Sequence, residues 1–132
     1  MSLRSPLGKV LGMGAAKEGS AHWWSQRVSA VGLALLAPWF LLSLISLGDL
    51  SYIHAVGWIA APVNTVLLSL LIVTLAYHAQ LGLQVIVEDY AAHHKTIRVI
   101  AMLIINFGLL LLSVLGVFSV LRIAFMNVSG QV

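Results

Sequence analysis

Charged residues fall near the two ends of this chain and in or beside two short connecting segments, and three predominantly apolar stretches run between them. In a helix, about 20 residues at about 1.5 Å rise cross the ~30 Å hydrocarbon layer of a bilayer. The pattern predicts spans over about 28–47, 59–87 and 97–121. The second is longer than the lipid requires, so tilt or a protruding end is expected. Pro38 falls inside the first span, where a membrane helix accepts proline if neighbours satisfy the freed carbonyl. The expected architecture is an all-α membrane protein, with three transmembrane helices over about 27–122, an N-terminal segment over 1–26 and a short tail over 123–132.

The connecting segments set an orientation. The first, about 48–57, holds Asp49 and His54 but no Lys or Arg, and Tyr52 and Trp58 suit an interfacial belt. The second, about 88–96, holds Glu88, Asp89, His93, His94 and Lys95. Arg4, Lys9, Lys17 and Arg27 precede the first span, Lys95 and Arg98 lie between the second and third, and Arg122 stands alone on the opposite side. This bias predicts a cytoplasmic N-terminus and a periplasmic C-terminus. A basic start before an apolar run resembles a signal peptide, but the run is too long for one and no small-residue cleavage site follows. An uncleaved anchor is expected.

Composition narrows the class. Of 132 residues, 61% are hydrophobic and 8% charged, which leaves too little polar surface to cover a soluble domain. The net charge of +3 rests on so few groups that it reads as a topology signal, with nucleic acid excluded as a partner. The absence of cysteine excludes disulfides, thiolate chemistry and iron–sulfur ligation by this chain.

His78 lies deep in the second apolar stretch, where an imidazole is costly and points to function. His78 and Asp89 are 11 residues apart, which places them within roughly 20° of one helix face and about 16 Å apart along the axis. Gly82 follows His78 by four residues on that face. A missing side chain one turn from a histidine leaves room for something flat, as when imidazole ligates haem iron and glycine accepts the macrocycle edge. The alternatives are a histidine hydrogen-bonded to a neighbouring helix, with Gly82 serving close packing, or a proton relay. No other histidine is deep in a span, so a haem with two axial histidines needs a second chain. Arg27, heading the first span, suits a haem propionate, a lipid phosphate or a simple positive anchor. His22-Trp23-Trp24 reads mainly as an interfacial belt. Asp89-Tyr90, at the far end of the second span, offers a phenolic donor to a quinone carbonyl and a carboxylate to hold a neighbouring group or relay protons, or else a helix-end cap and a belt tyrosine. His93 and His94 suit either proton entry or simple solvation.

Two segments carry a family resemblance: His22-Trp23-Trp24-Ser25-Gln26-Arg27-Val28-Ser29-Ala30, and His78-x3-Gly82-x-Gln84-x4-Asp89-Tyr90. With the three-span layout, they make the chain similar to the small hydrophobic membrane-anchor subunits of succinate dehydrogenase (respiratory complex II). Lys17-Glu18-Gly19 most resembles alphaproteobacterial members. The resemblance implies a bacterial inner-membrane subunit with no catalytic residue of its own for succinate. It implies His78 as one axial ligand of haem b, Arg27 near a propionate, Gly82 against the haem, and Tyr90 and Asp89 at a ubiquinone site. The implied partners are a cytochrome b-type membrane subunit with the other axial histidine, an iron–sulfur subunit and a flavoprotein, with FAD and iron–sulfur clusters only on those soluble partners. Glu88 stands where several relatives carry threonine. The competing expectations are a haem-free structural anchor and a small proton-relay or transporter subunit, and sparse polar groups elsewhere in the spans argue against the latter.

Overall fold

A computed structural model describes residues 16–91 and 94–129, with side-chain surroundings over 20–91 and 94–126. Arg4, Lys9, His93 and residues 130–132 lie outside the described residues. The chain forms helices α1 (Ala16–Ser46), α2 (Tyr52–Ala60), α3 (Pro62–Tyr90) and α4 (Lys95–Ser129). Three of them, α1, α3 and α4, are long and apolar enough to cross a membrane. Helix is the expected answer to this composition, because lipid offers backbone N–H and C=O groups no partner outside the segment itself.

The boundaries differ from those expected. Helix α1 already includes Ala16, the first described residue, so the expected N-terminal segment is helical well before residue 27. The last helix runs through Ser129, well into the expected tail. Apolar runs mark where lipid demands a helix, whereas backbone hydrogen bonding continues into water until a residue stops it. The expected first connection is a tight turn followed by α2. Gly48 ends α1 at φ +67°, the left-handed conformation that glycine adopts without Cβ strain. Asp49 then accepts the Ser51 backbone N–H at 2.9 Å and contacts His54 Nδ1 at 2.9 Å. These partners, the Ser51 amide foremost, hold its carboxyl below the usual carboxylate range.

The expected second span splits at Ala61. This residue is extended (φ −61°, ψ 127°) because the ring of Pro62 disfavours helical geometry before it. Pro62 then opens α3, where its missing N–H costs nothing. The carbonyls left open at the end of α2 are taken by the first turn of α3. Asn64 Nδ2 donates to Trp58 O at 2.8 Å, and Thr65 Oγ1 donates to Ile59 O at 2.7 Å. Trp58 stacks on Trp39 of α1 with ring centroids 5.9 Å apart, which ties α2 to the first span.

Helix α3 is the centre of the bundle. It packs antiparallel to α1 on one side and to α4 on the other, and among the described residues α1 and α4 have no close backbone approach. Two glycines make these approaches possible. A Cβ built on Gly32 would lie 3.1 Å from Thr74 Cγ2, and one on Gly116 would lie 3.1 Å from Ile72 Cγ2. Small residues let membrane helices gain close van der Waals contact where lipid supplies no hydrophobic drive. Gly116→Val should therefore force α4 off α3 and destabilise the membrane module by about 1–3 kcal/mol, the usual range for overpacking. Thermal unfolding of the detergent-solubilised protein measures this, with Gly108→Ala as the control because nothing lies within 4 Å of Gly108.

Candidate functional site

The seam between α1 and α3 holds a polar cluster inside an otherwise apolar module. His78 projects from α3 towards α1. Its Nδ1 lies 3.0 Å from Ser29 Oγ, and its Nε2 lies 3.5 Å from Gln26 Nε2. Ser29 is only 5% exposed, in a chain where few side chains are buried at all. Its hydroxyl donates to the Gln26 backbone carbonyl at 3.0 Å, the local i−3 bond that serine makes in helices. His22 Nε2 and Gln26 Oε1 are buried without a hydrogen-bond partner. Unsatisfied polar atoms in a low-dielectric seam are costly and point to a group that answers them.

Gly82 separates the packing explanation from the ligand explanation. At Gly32 and Gly116 an added Cβ would press on a side-chain methyl at 3.1 Å, tighter than an ordinary contact. At Gly82 an added Cβ would meet only Gln26 Nε2, at 3.8 Å, an ordinary contact. Packing within this chain therefore does not require glycine at position 82, where only the end of the Gln26 side chain comes near.

Helix α3 is unbroken from Pro62 to Tyr90, so His78, Gly82 and Asp89 share one rigid face as their spacing predicts. Asp89 is exposed, and Tyr90 is 89% exposed at the helix end. Neighbouring Glu88 accepts a hydrogen bond from Gln84 Nε2 at 2.9 Å, one helical turn away. The structure does not bring Arg27 to His78. The Arg27 guanidinium sits 5.3 Å from the centre of the Trp23 ring, a cation–π contact. Trp23, Trp24, Arg27, Val28 and Val31 line an open groove of about 670 Å³ on the outer side of α1.

Ser29 and Gln26 stand in a segment that carries the family resemblance, but their sequence positions do not tie them to His78. The available signal is the helical spacing of His22, Gln26 and Ser29, which forms one polar stripe running into the first apolar span. Among the described residues no three His, Cys, Asp or Glu side chains converge as a metal site. A haem asks less of a chain than a bare ion does, since the porphyrin supplies the equatorial ligands and each axial position takes one side chain. His78 with a glycine one turn away that packing within this chain does not require, and buried polar atoms beside it, fits that requirement.

A helical membrane module of three spans, with one deep histidine held in a polar seam, defines the class of protein. A family model described as the succinate dehydrogenase/fumarate reductase transmembrane subunit matches residues 1–123. The chain belongs to that family. It is 36% identical over 93 residues to a succinate dehydrogenase hydrophobic membrane anchor subunit of Rickettsia bellii (strain RML369-C), covering 70% of this chain and 74% of the relative. A Rickettsia conorii (strain ATCC VR-613 / Malish 7) protein of the same description is 36% identical over 88 residues, covering 66% and 70%. A succinate dehydrogenase membrane anchor subunit of Reclinomonas americana is 32% identical over 101 residues, covering 74% and 83%. No solved structure gives a significant match.

Proposed function

We propose that this chain anchors a succinate:ubiquinone oxidoreductase in the bacterial inner membrane, gives one axial histidine to haem b and forms part of the ubiquinone-reduction site. The observation that carries the reading is the α3 face, where His78 and an unfilled Gly82 lie on the same rod as Asp89, next to Tyr90 at its end. His78 would ligate the iron, Gly82 would accept the macrocycle, and Arg27 would swing from Trp23 to a propionate. The haem supplies a one-electron redox centre when bound. Its second axial histidine would come from a cytochrome b-type subunit, whose docking the broad apolar exposure of all three spans favours.

Ubiquinone takes up two electrons and two protons on reduction. Tyr90 would donate its phenolic hydrogen to a quinone carbonyl, and Asp89 would hold or relay a proton beside it. The electrons would come from succinate through FAD and iron–sulfur clusters on a flavoprotein and an iron–sulfur subunit, and this chain would do no succinate chemistry. The basic residues near Asp89 and Tyr90, including Lys95 and Arg98, favour a cytoplasmic position for that end, with the C-terminus periplasmic.

Extraction of the tagged chain in mild detergent tests the assembly. The expected result is co-isolation with a flavoprotein, an iron–sulfur protein and a second membrane chain. Recovery of the chain without a flavoprotein overturns the reading. A haem-free anchor is the second reading, favoured by one observation: both ring nitrogens of His78 already contact α1. It predicts an assembled complex with no haem absorbance.

A further inference from the structure

We infer that Ser29 is the positioning residue for His78, fixing the imidazole as the Nδ1–H tautomer so that Nε2 carries the lone pair that binds iron. The inference rests on the haem reading above and deepens it. A serine hydroxyl has one hydrogen, and Ser29 places it on the Gln26 carbonyl, 3.0 Å away. With that hydrogen on the carbonyl, the Ser29 oxygen accepts towards His78, and Nδ1, at 3.0 Å, is the nitrogen that carries the proton. Neutral imidazole carries one N–H, which leaves Nε2 as the base.

The other side of the ring agrees. The group nearest Nε2 is the Gln26 side-chain amide nitrogen, at 3.5 Å, which can donate but not accept. The reverse tautomer would set Nε2–H against this donor and leave Nδ1 facing an oxygen whose hydrogen is already engaged. The Ser29 contact therefore selects the tautomer, and the Gln26 amide as it stands is compatible with it. The two contacts differ in strength: the Ser29 contact has good hydrogen-bond length, while the Gln26 contact is at the outer limit. Ser29 holds the ring, and the Gln26 amide engages Nε2 only weakly. The buried, unpartnered Gln26 Oε1 marks that amide as poorly anchored where it stands.

A hydrogen bond accepted from the distal N–H of a ligating histidine fixes its tautomer and orientation and raises its basicity. A more basic imidazole stabilises ferric over ferrous haem. Loss of the Ser29 hydroxyl should therefore raise the haem midpoint potential and weaken haem retention by roughly tenfold to a hundredfold.

The test uses the purified whole complex with Ser29→Thr and Ser29→Val, which have nearly the same shape and differ in the hydroxyl. Haem stoichiometry after detergent washing, the redox midpoint and the low-spin electron paramagnetic resonance signal are the readouts, with His78→Ala measured in parallel. The expected result is a wild-type signal and potential for Ser29→Thr. For Ser29→Val it is a raised potential, a shifted signal and faster haem loss. Equal behaviour of the two variants, changed or unchanged, overturns the Ser29 assignment while the haem reading stands if His78→Ala removes haem. An unaltered haem signal in His78→Ala overturns the haem reading itself.

Discussion

His78→Ala is expected to abolish the haem b difference spectrum of the purified complex. An axial imidazole is a covalent tether to iron, and no other histidine among the described residues lies near the middle of a span to replace it. His22 is the nearest candidate by face, since His22, Gln26 and Ser29 form one stripe on α1, but it sits about two turns from Ser29 towards the helix start. The substitution should leave α3 helical, because alanine is the best helix former. It removes the partner of Ser29 on a buried seam, which costs about 1 kcal/mol for the lost hydrogen bond, too little to unfold a module tied by α2 and by the close approaches at Gly32 and Gly116. Reduced-minus-oxidised absorbance normalised to flavin measures the outcome. His54→Ala, in the exposed Asp49 cluster, is the histidine control and should retain the full spectrum. Undiminished absorbance in His78→Ala would exclude this residue as the ligand.

Tyr90→Phe is expected to slow ubiquinone reduction while sparing succinate oxidation by a soluble acceptor. The change deletes one oxygen. In this chain the Tyr90 side chain is exposed at the end of α3, so no packed core is disturbed. A hydrogen bond to a group that gains negative charge contributes about 1.5–3 kcal/mol, or roughly a tenfold to hundredfold rate loss. The two assays separate chemistry from assembly. Under the proposed function, the soluble-acceptor rate would depend on the flavoprotein and iron–sulfur subunits, whereas the quinone rate would need the site at the end of α3. A parallel fall in both rates would mean that the substitution damages assembly and would leave a quinone contact at Tyr90 without support.

Much of this site is legible in the sequence because it lies on one helix. The relation among His78, Gly82, Asp89 and Tyr90 depends only on α3 being unbroken, and 3.6 residues per turn does the rest. The spans are legible for a similar reason. Lipid leaves the backbone one local solution, so an apolar run of sufficient length is a helix whatever packs beside it.

Tertiary structure decides what depends on distant residues. Pro38 and Pro62 look alike in sequence, yet α1 continues through Pro38 and the chain turns at Ala61. The second break is held because Asn64 and Thr65 capture the carbonyls it frees, and because Trp58 finds Trp39 on another helix. The partners of His78 are 49 and 52 residues away in the chain. Nothing local to the Gln26–Ser29 segment indicates that it will meet an imidazole; antiparallel packing of α1 on α3, through Gly32 and Thr74, puts it there. The sequence by itself determined three spans and a deep histidine aligned with a polar helix end, since hydrophobic period and helical pitch are local properties. Only the packed helices decided which groups meet the two ring nitrogens of that histidine, because those groups stand on another helix.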